Sequence, residues 1–421
     1  MVKALDREPD SWSDLALACL AEAIKADSVS PNPRVGALIV DDQRQILARG
    51  YHRGPGKDHA EVDAVKNYRR EVGQDLTGKT IVVNLEPCSH FGRTPPCCDL
   101  LIEQGFSKVI IPFADPYHQV AGRGIDKLRA SGVQVLEDFG KYKDLAAWIN
   151  RGFLKAVRQK KPWLTLKMAT TLDGKIADRF GGSRYVTGSG AREQVMDLRQ
   201  SHDCVLVGKR TVLLDDPRLD VRRTNDMSIV ESGTCKAVID ARLEIELSAN
   251  VFDPRFGPTI LFYDRALKMD QDQSVREKLL ERKKRHPDLK CLGVDKATAQ
   301  NEDSELDLNK IMSCLYDLGL YQILCEGGSR LATSLFEADL VDQIVWFVAP
   351  TLIMDARALS VVALDLHTGA KNEARAIRSI DQVQRFINCN VAKVGQDTRI
   401  DLLSGAHADL ADCPGRLHLI K

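Results

Sequence analysis

An α/β protein of two domains in series is what this sequence predicts, on three observations. Strand-like and helix-like apolar patterns alternate along most of the chain, the arrangement that builds layered α/β domains. Its 421 residues exceed what one hydrophobic core usually supports, so at least two cores are expected. A basic run ending in proline, Arg158-Gln159-Lys160-Lys161-Pro162, interrupts the alternation and reads as a linker.

Residues 1–155 form the first expected domain. An amphipathic helix spans Trp12 to Lys25, followed by strands Val35–Val40 and Gln45–Gly50 turning at Asp41-Asp42. A helix starts at Ala60, then come a strand Thr80–Leu85, a helix Cys97–Gln104 and a strand Lys108–Pro112. A helix Gly122–Ala130 and a strand Val133–Leu136 complete an α/β/α unit. The second expected domain, residues 162–405, opens with strand Trp163–Ala169, helix Ala191–Ser201 and strand Cys204–Val207. Strands Ala237–Asp240, Thr259–Tyr263, Gln322–Cys325, Leu340–Val348 and Thr398–Leu403 follow. The charged stretch Asp270–Glu305 reads as a helix plus a loop, and residues 406–421 as a tail of unknown role.

Fifty-nine basic and 59 acidic residues give zero formal charge. That balance points to no nucleic-acid partner and no membrane surface. The run Glu281-Arg282-Lys283-Lys284-Arg285-His286 is a solvated helix end. No apolar stretch approaches the ~20 residues of a membrane span. Acidic Asp6, Glu8 and Asp10 near the start argue against a targeting peptide, so a cytoplasmic protein is expected. Eleven scattered cysteines fit reduced thiols better than a disulfide framework.

The chemistry concentrates in His59-Ala60-Glu61, Pro87-Cys88 and Pro95-Pro96-Cys97. One imidazole and two thiolates can hold zinc with a fourth position open for water, as a catalytic site requires. Zinc lowers the pKa of such a water towards roughly 7. Glu61 is close enough in sequence to His59 to act as proton shuttle. The zinc-deaminase signature is H-x-E followed by P-C-x-x-C; here eight residues, Ser89 to Pro96, separate the cysteines. Cys98 adjoins Cys97, but neighbouring residues at a helix start point apart, so Cys97 is the expected ligand. Both His59 and Cys97 fall where helices begin, and the helix dipole there favours a thiolate.

That longer segment, Glu86 through Cys97, resembles the bifunctional deaminase/reductase family of riboflavin biosynthesis, as do Pro31-Asn32-Pro33-Arg34-Val35-Gly36 and Gly50-Tyr51-His52-Arg53-Gly54. The resemblance resumes in Lys167-Met168-Ala169, Thr171-Leu172-Asp173-Gly174-Lys175, Ser183-Arg184-Tyr185 and Thr211 to Leu219, and covers most of the chain. It implies a cytidine-deaminase-like α/β/α domain followed by a dihydrofolate-reductase-like α/β domain. It also implies one Zn2+ per chain, NADPH, a phosphorylated pyrimidine substrate and a homo-oligomer.

Glu61 is then the catalytic residue and His59, Cys88 and Cys97 are the metal ligands. Asn32, His52, His90, Arg93 and Asp115 are candidate substrate contacts in the deaminase half. The strand-to-helix turn Cys325-Glu326-Gly327-Gly328 suits a phosphate at a helix N-terminus, although no Gly-x-Gly-x-x-Gly follows any strand. By resemblance the cofactor is contacted by Ala169, Tyr185, Thr211, Asp215 and the turn Gly328, Ser329, Arg330, Leu331, Ala332, Thr333 and Ser334. The substrate of the second half would meet Ser183, Arg199, Leu219, Arg222 and Glu326, with Lys167 as a further polar partner. Arg199 and Arg222 would converge on its phosphate, since a guanidinium donates in pairs.

Three positions depart from the family pattern: Tyr117 where an asparagine is usual, Ala241 where a serine is common, and Pro350–Asp355 without the expected glycines. Tyr117 removes one expected substrate contact in the deaminase half, while Ala241 and the missing glycines leave open the alternative of a deaminase whose reductase-like domain is inactive.

Overall fold

The computed structural model describes residues 11–26, 29–91, 95–115, 122–182, 186–222, 229, 234–267, 273–286, 288–297, 305–361 and 385–410. The chain divides into two compact units, meeting at Lys160/Lys161.

The first unit holds strands β1 (Gly36–Val40), β2 (Ile46–Tyr51), β3 (Thr80–Val83), β4 (Lys108–Ile111) and β5 (Gln134–Glu137), in sheet order β2-β1-β3-β4-β5. β1 runs antiparallel to β2 and β3, while β3, β4 and β5 are parallel. Its helices are α1 (Trp12–Ala23), α2 (Ala60–Glu71), α3 (Cys97–Glu103), α4 (Arg123–Ala130), α5 (Lys143–Ile149) and α6 (Arg151–Gln159). One face of the sheet, with Ala37, Ile39, Ile81, Val83, Val109 and Ile111, packs on Ala64, Val65, Leu101 and Leu128 of α2, α3 and α4. The alternate residues Leu38, Val82 and Ile110 are equally buried, so both faces are covered.

Two glycines set how closely helices approach this sheet. A Cβ on Gly36 would lie 2.3 Å from the Cys19 carbonyl of α1, and one on Gly50 would lie 2.3 Å from the Ala64 nitrogen of α2. Gly50 thereby seats the start of α2, and with it His59 and Glu61, against the end of β2.

The second unit is built on β6 (Trp163–Thr170), β8 (Cys204–Gly208), β9 (Cys235–Ile239), β10 (Thr259–Asp264), β11 (Lys290–Val294), β12 (Gln322–Cys325), β13 (Gln343–Val348), β15 (Phe386–Val394) and β16 (Asp397–Ser404), with a small pair β7 (Lys175–Ala177) and β14 (Leu359–Ser360). The large sheet runs β11-β10-β9-β8-β12-β6-β13-β16-β15. Its strands from β11 to β13 are parallel and the last three antiparallel. α7 (Ser189–Ser201), α8 (Lys209–Asp215) and α9 (Gln273–Arg285) cover one face, through Val195, Leu198, Val212 and Leu279. α10 (Leu308–Asp317) and α11 (Ser329–Glu337) cover the other, through Ile311, Leu315, Ala332 and Leu335. Parallel strands buried on both faces explain their near-continuous apolar runs.

The expectation of a helix plus a loop for Asp270–Glu305 needs correction. The helix is α9, but β11 follows it as an edge strand parallel to β10. Helices α5 and α6, and edge strand β15, were not expected either. Residues 405–410 form a tight helical turn on this unit: His407 Nε2 lies 2.9 Å from Asp342 Oδ1 and its ring 4.4 Å from that of Trp163.

The missing glycines after Pro350 leave a visible trace. Met354 takes a left-handed φ of 55°, which costs a side-chain-bearing residue about 1–2 kcal/mol. The Asp173 carboxylate offsets this strain by accepting from the Ile353 and Met354 N–H groups, at 3.2 and 2.8 Å. Met354→Gly should raise thermal stability by about 1 kcal/mol. A melting temperature equal to or below that of the parent chain would contradict this.

Candidate active sites

The first site forms where three chain segments meet at the ends of the five-stranded sheet. His59 is the N-cap of α2, Cys97 the first residue of α3, and Cys88 lies in the loop after β3. His59 Nδ1 stands 3.2 Å from Cys97 Sγ and 3.6 Å from Cys88 Sγ. All three ligand atoms lie within 4.8 Å of one another. Ligands at about 2.0–2.3 Å around a tetrahedral zinc sit about 3.5–3.8 Å from each other, so this donor set fits that ion. Glu61 is buried beside it but outside the ligand group. Burial raises its pKa above the ordinary carboxylate value.

Cys98 faces the other way. Its thiol donates to the carbonyls of Pro87 and Gly124, at 3.2 and 3.7 Å, and burial pushes its pKa up. It is a packed thiol.

His52 and Asn32 adjoin the metal site. The His52 ring packs edge-on to that of His59, with 5.6 Å between centroids. His52 Nδ1 lies 2.8 Å from the Asp58 carbonyl oxygen and Nε2 lies 2.8 Å from Asn32 Nδ2. A carbonyl only accepts, so Nδ1 carries the hydrogen and Nε2 accepts from the Asn32 amide. Burial lowers the His52 pKa, consistent with this neutral form. His90 is half-buried in the loop after Cys88. Asp115 is buried and its N–H donates to Glu86. Arg93 and Tyr117 lie outside the described residues.

Glu86 is the residue that sequence reasoning missed. Its buried carboxylate accepts four backbone N–H groups: Asp115 (2.7 Å) and Gly122 (3.0 Å) on Oε2, Gly124 (2.8 Å) and Ile125 (3.1 Å) on Oε1. It joins the zinc loop to the start of α4. The signal was its position directly before Pro87-Cys88, which marks it as part of the loop without revealing its distant partners.

The second site is a cavity of about 1190 Å3 at the C-terminal ends of the parallel strands, the usual ligand position in such sheets. Ala169, Thr211, Asp215, Gly328, Ser329, Arg330, Leu331 and Ala332 line it, as do Lys167, Arg199, Leu219 and Glu326. α11 begins at Ser329 with no side chain capping its first turn. A Cβ on Gly327 would stand 2.7 Å from Leu331 Cδ2, so the Leu331 side chain would have to shift. An uncapped helix start behind two glycines fits a cofactor phosphate.

Two residues of the expected turn, Thr333 and Ser334, are not among those that line the cavity. Thr333 Oγ1 donates back to the Ser329 carbonyl at 2.8 Å; the Ser334 hydroxyl donates to the Glu305 carboxylate and lies 3.1 Å from the Arg330 carbonyl. Helical periodicity carries them away from the strand ends. Ser183 and Tyr185 lie outside the described residues. Ala241 lines the cavity without a hydroxyl to offer.

The two arginines expected at the substrate phosphate each meet a carboxylate of the protein. Arg199 is on the buried side of α7 and grips Glu326 in a two-point bridge, Nε to Oε1 at 2.6 Å and Nη2 to Oε2 at 3.0 Å. Its fork is therefore engaged by protein. Arg222 is not a lining residue of the cavity; its Nε faces Asp220 Oδ1 at 3.0 Å. Lys167 and Glu326, at adjacent strand ends, complete the charged floor. Burial works to raise Glu326, but the Arg199 guanidinium and Lys167 hold its pKa below normal. Burial lowers that of Lys167.

These two sites can be set beside known proteins. Residues 162–400 match the family model described as the RibD C-terminal domain, more than half of the chain. Residues 10–112 match the cytidine and deoxycytidylate deaminase zinc-binding region. The chain belongs to the RibD family. The riboflavin biosynthesis protein RibD of Aquifex aeolicus (strain VF5) is 34% identical over 397 residues, covering 94% of this chain and 98% of that protein. The RibD of Escherichia coli (strain K12) is 35% identical over 338 residues, covering 78% and 85%. Among solved structures, Acinetobacter baumannii RibD matches with a TM-score of 0.75 at 30% identity, over 93% of this chain and 97% of that one. A Thermotoga maritima deaminase/reductase matches with a TM-score of 0.75 at 28% identity, over 93% and 98%. This RibD chain carries both the deaminase and the reductase domain of a bifunctional riboflavin-biosynthesis enzyme. Among its described residues, no helix is long and apolar enough to cross a membrane.

Proposed function

We infer that this RibD chain deaminates 2,5-diamino-6-ribosylamino-4(3H)-pyrimidinone 5′-phosphate and then, with NADPH, reduces the ribosyl group to ribityl, giving 5-amino-6-(5-phosphoribitylamino)uracil. The observation that carries the first step is the His59, Cys88 and Cys97 triad with buried Glu61 beside it. One zinc per chain, held by those three residues, supplies a polarised water when bound. Glu61 takes a proton from the attacking water and returns it to the departing ammonia. Asn32, His52, His90, Arg93 and Asp115 bind the pyrimidinone, with His52 also fixing the Asn32 amide.

For the second step, NADPH supplies the reducing equivalent, and the residues here determine where it acts. The start of α11, with Thr211 and Asp215 opposite, holds the dinucleotide. Glu326, fixed by Arg199, and Lys167 bind the ribosyl end; Ser183, Leu219 and Arg222 complete that side and Tyr185 the cofactor side. The working compartment is the cytoplasm, in keeping with ten free thiols among the described residues.

The test is an assay of the full chain that follows ammonia release and NADPH consumption separately. Both are expected with the pyrimidinone phosphate. Chelation should stop ammonia release yet leave NADPH consumption intact when deaminated product is supplied. Ammonia release without NADPH consumption would leave only the deaminase.

A further inference from the structure

We propose that Asp220 is a positioning residue of the reductase site: its carboxylate holds the inner edge of the Arg222 guanidinium and presents the terminal nitrogens to the phosphate of the substrate. The proposal rests on the reading of Arg222 as a phosphate contact.

Asp220 follows Leu219, a cavity-lining residue held in a left-handed turn at φ 57°. Its side chain is 1% exposed, and neither carboxylate oxygen receives a directed hydrogen bond. A buried, incompletely bonded carboxylate is costly unless cations surround it. Three do. Arg222 Nε stands 3.0 Å from Oδ1. Arg199 Nη1 donates to the Asp220 carbonyl at 2.9 Å and feels the carboxylate charge. Lys236, whose Nζ donates to the Asp253 carbonyl at 3.2 Å, feels it too. Asp220 thus touches both arginines that the sequence placed at the phosphate, one through its main chain and the other through its side chain.

Arg222 has the complementary arrangement. Its Nε is buried against Asp220, yet the side chain as a whole is 25% exposed. Its backbone is pinned by a bridge to Ile229. The terminal nitrogens have no other partner among the described residues. A guanidinium ion-paired through its inner nitrogen leaves four outer N–H donors in one plane, the geometry that recognises a phosphate. A neutral residue at position 220 would leave that plane free to swing.

The experiment is a double-mutant cycle in the full chain, measuring KM and kcat for reduction of the deaminated product. Arg222→Ala should raise KM about 100-fold, and Asp220→Asn about tenfold with kcat little changed. In the Arg222→Ala background, Asp220→Asn should change KM by less than about twofold. The melting transition of the second unit in each preparation reports that the reductase unit is folded; if Asp220→Asn does not accumulate, Asp220→Ser takes its place in the cycle. An unchanged KM in the Asp220 variant, or the same rise in both backgrounds, overturns the positioning role in favour of simple charge balance for Lys236. An unchanged KM in Arg222→Ala removes the phosphate reading itself, and this proposal with it.

Discussion

Glu61→Gln is expected to lower the deamination rate by about 10² to 10⁴-fold while zinc content and the reductase rate stay at parental values. The reasoning starts from position. Glu61 is the second residue of α2, whose N-cap is the ligand His59, so one rigid helix start delivers both the metal ligand and the carboxylate. Glutamine preserves that packing and volume but cannot accept and release a proton. Glu61 stands outside the ligand group, so metal should remain. The reductase cavity is lined wholly by residues of the second unit, so NADPH consumption with supplied deaminated product serves as an internal control. Metal analysis with the two rates on one preparation decides the outcome. Loss of zinc together with activity would show that Glu61 acts as a ligand, and an unchanged rate would remove it from the proton path.

What the sequence disclosed follows from the range of the interactions involved. His59, Glu61, Cys88 and Cys97 were legible because zinc chemistry demands particular residue types and helix starts are marked locally. Buried parallel strands such as Gln322–Cys325 were legible from their apolar runs. Edge strand β11 was not, because Lys290-Cys291-Leu292-Gly293-Val294 has neither alternation nor a long apolar run. Arg199 lines the second site, but its ion pair with Glu326 was not foreseen. Its engagement with Glu326 joins residues 127 positions apart, and no local pattern reports that. Thr333 and Ser334 were drawn in by treating the whole turn as cofactor-facing, whereas the helix rotates them away within one turn. Asp220 and Glu86 escaped notice for the same reason: a buried carboxylate is defined by what surrounds it.

Glu86→Gln should destabilise the deaminase unit by about 3 kcal/mol and weaken its zinc affinity by about 10–100-fold. Four backbone N–H groups converge on this one carboxylate, two on each oxygen. Glutamine replaces one oxygen by an NH2 group, which can only oppose the two N–H donors that faced it. Leaving buried donors unpaired costs more than the net worth of the bonds lost. The loop has no room to rearrange, because a Cβ on Gly124 would already lie 2.3 Å from the Pro87 carbonyl. Pro87 adjoins ligand Cys88, so strain released at Glu86 reaches the metal ligand within two residues. Asp115 loses its anchor in the same step. The expected pattern is therefore a lower melting transition for the first unit, a weaker zinc affinity by competition with a chelator, and a normal reductase rate. A variant with parental zinc affinity and melting behaviour would show that water or neighbouring groups satisfy those four donors, and that the zinc loop is held by its ligands alone.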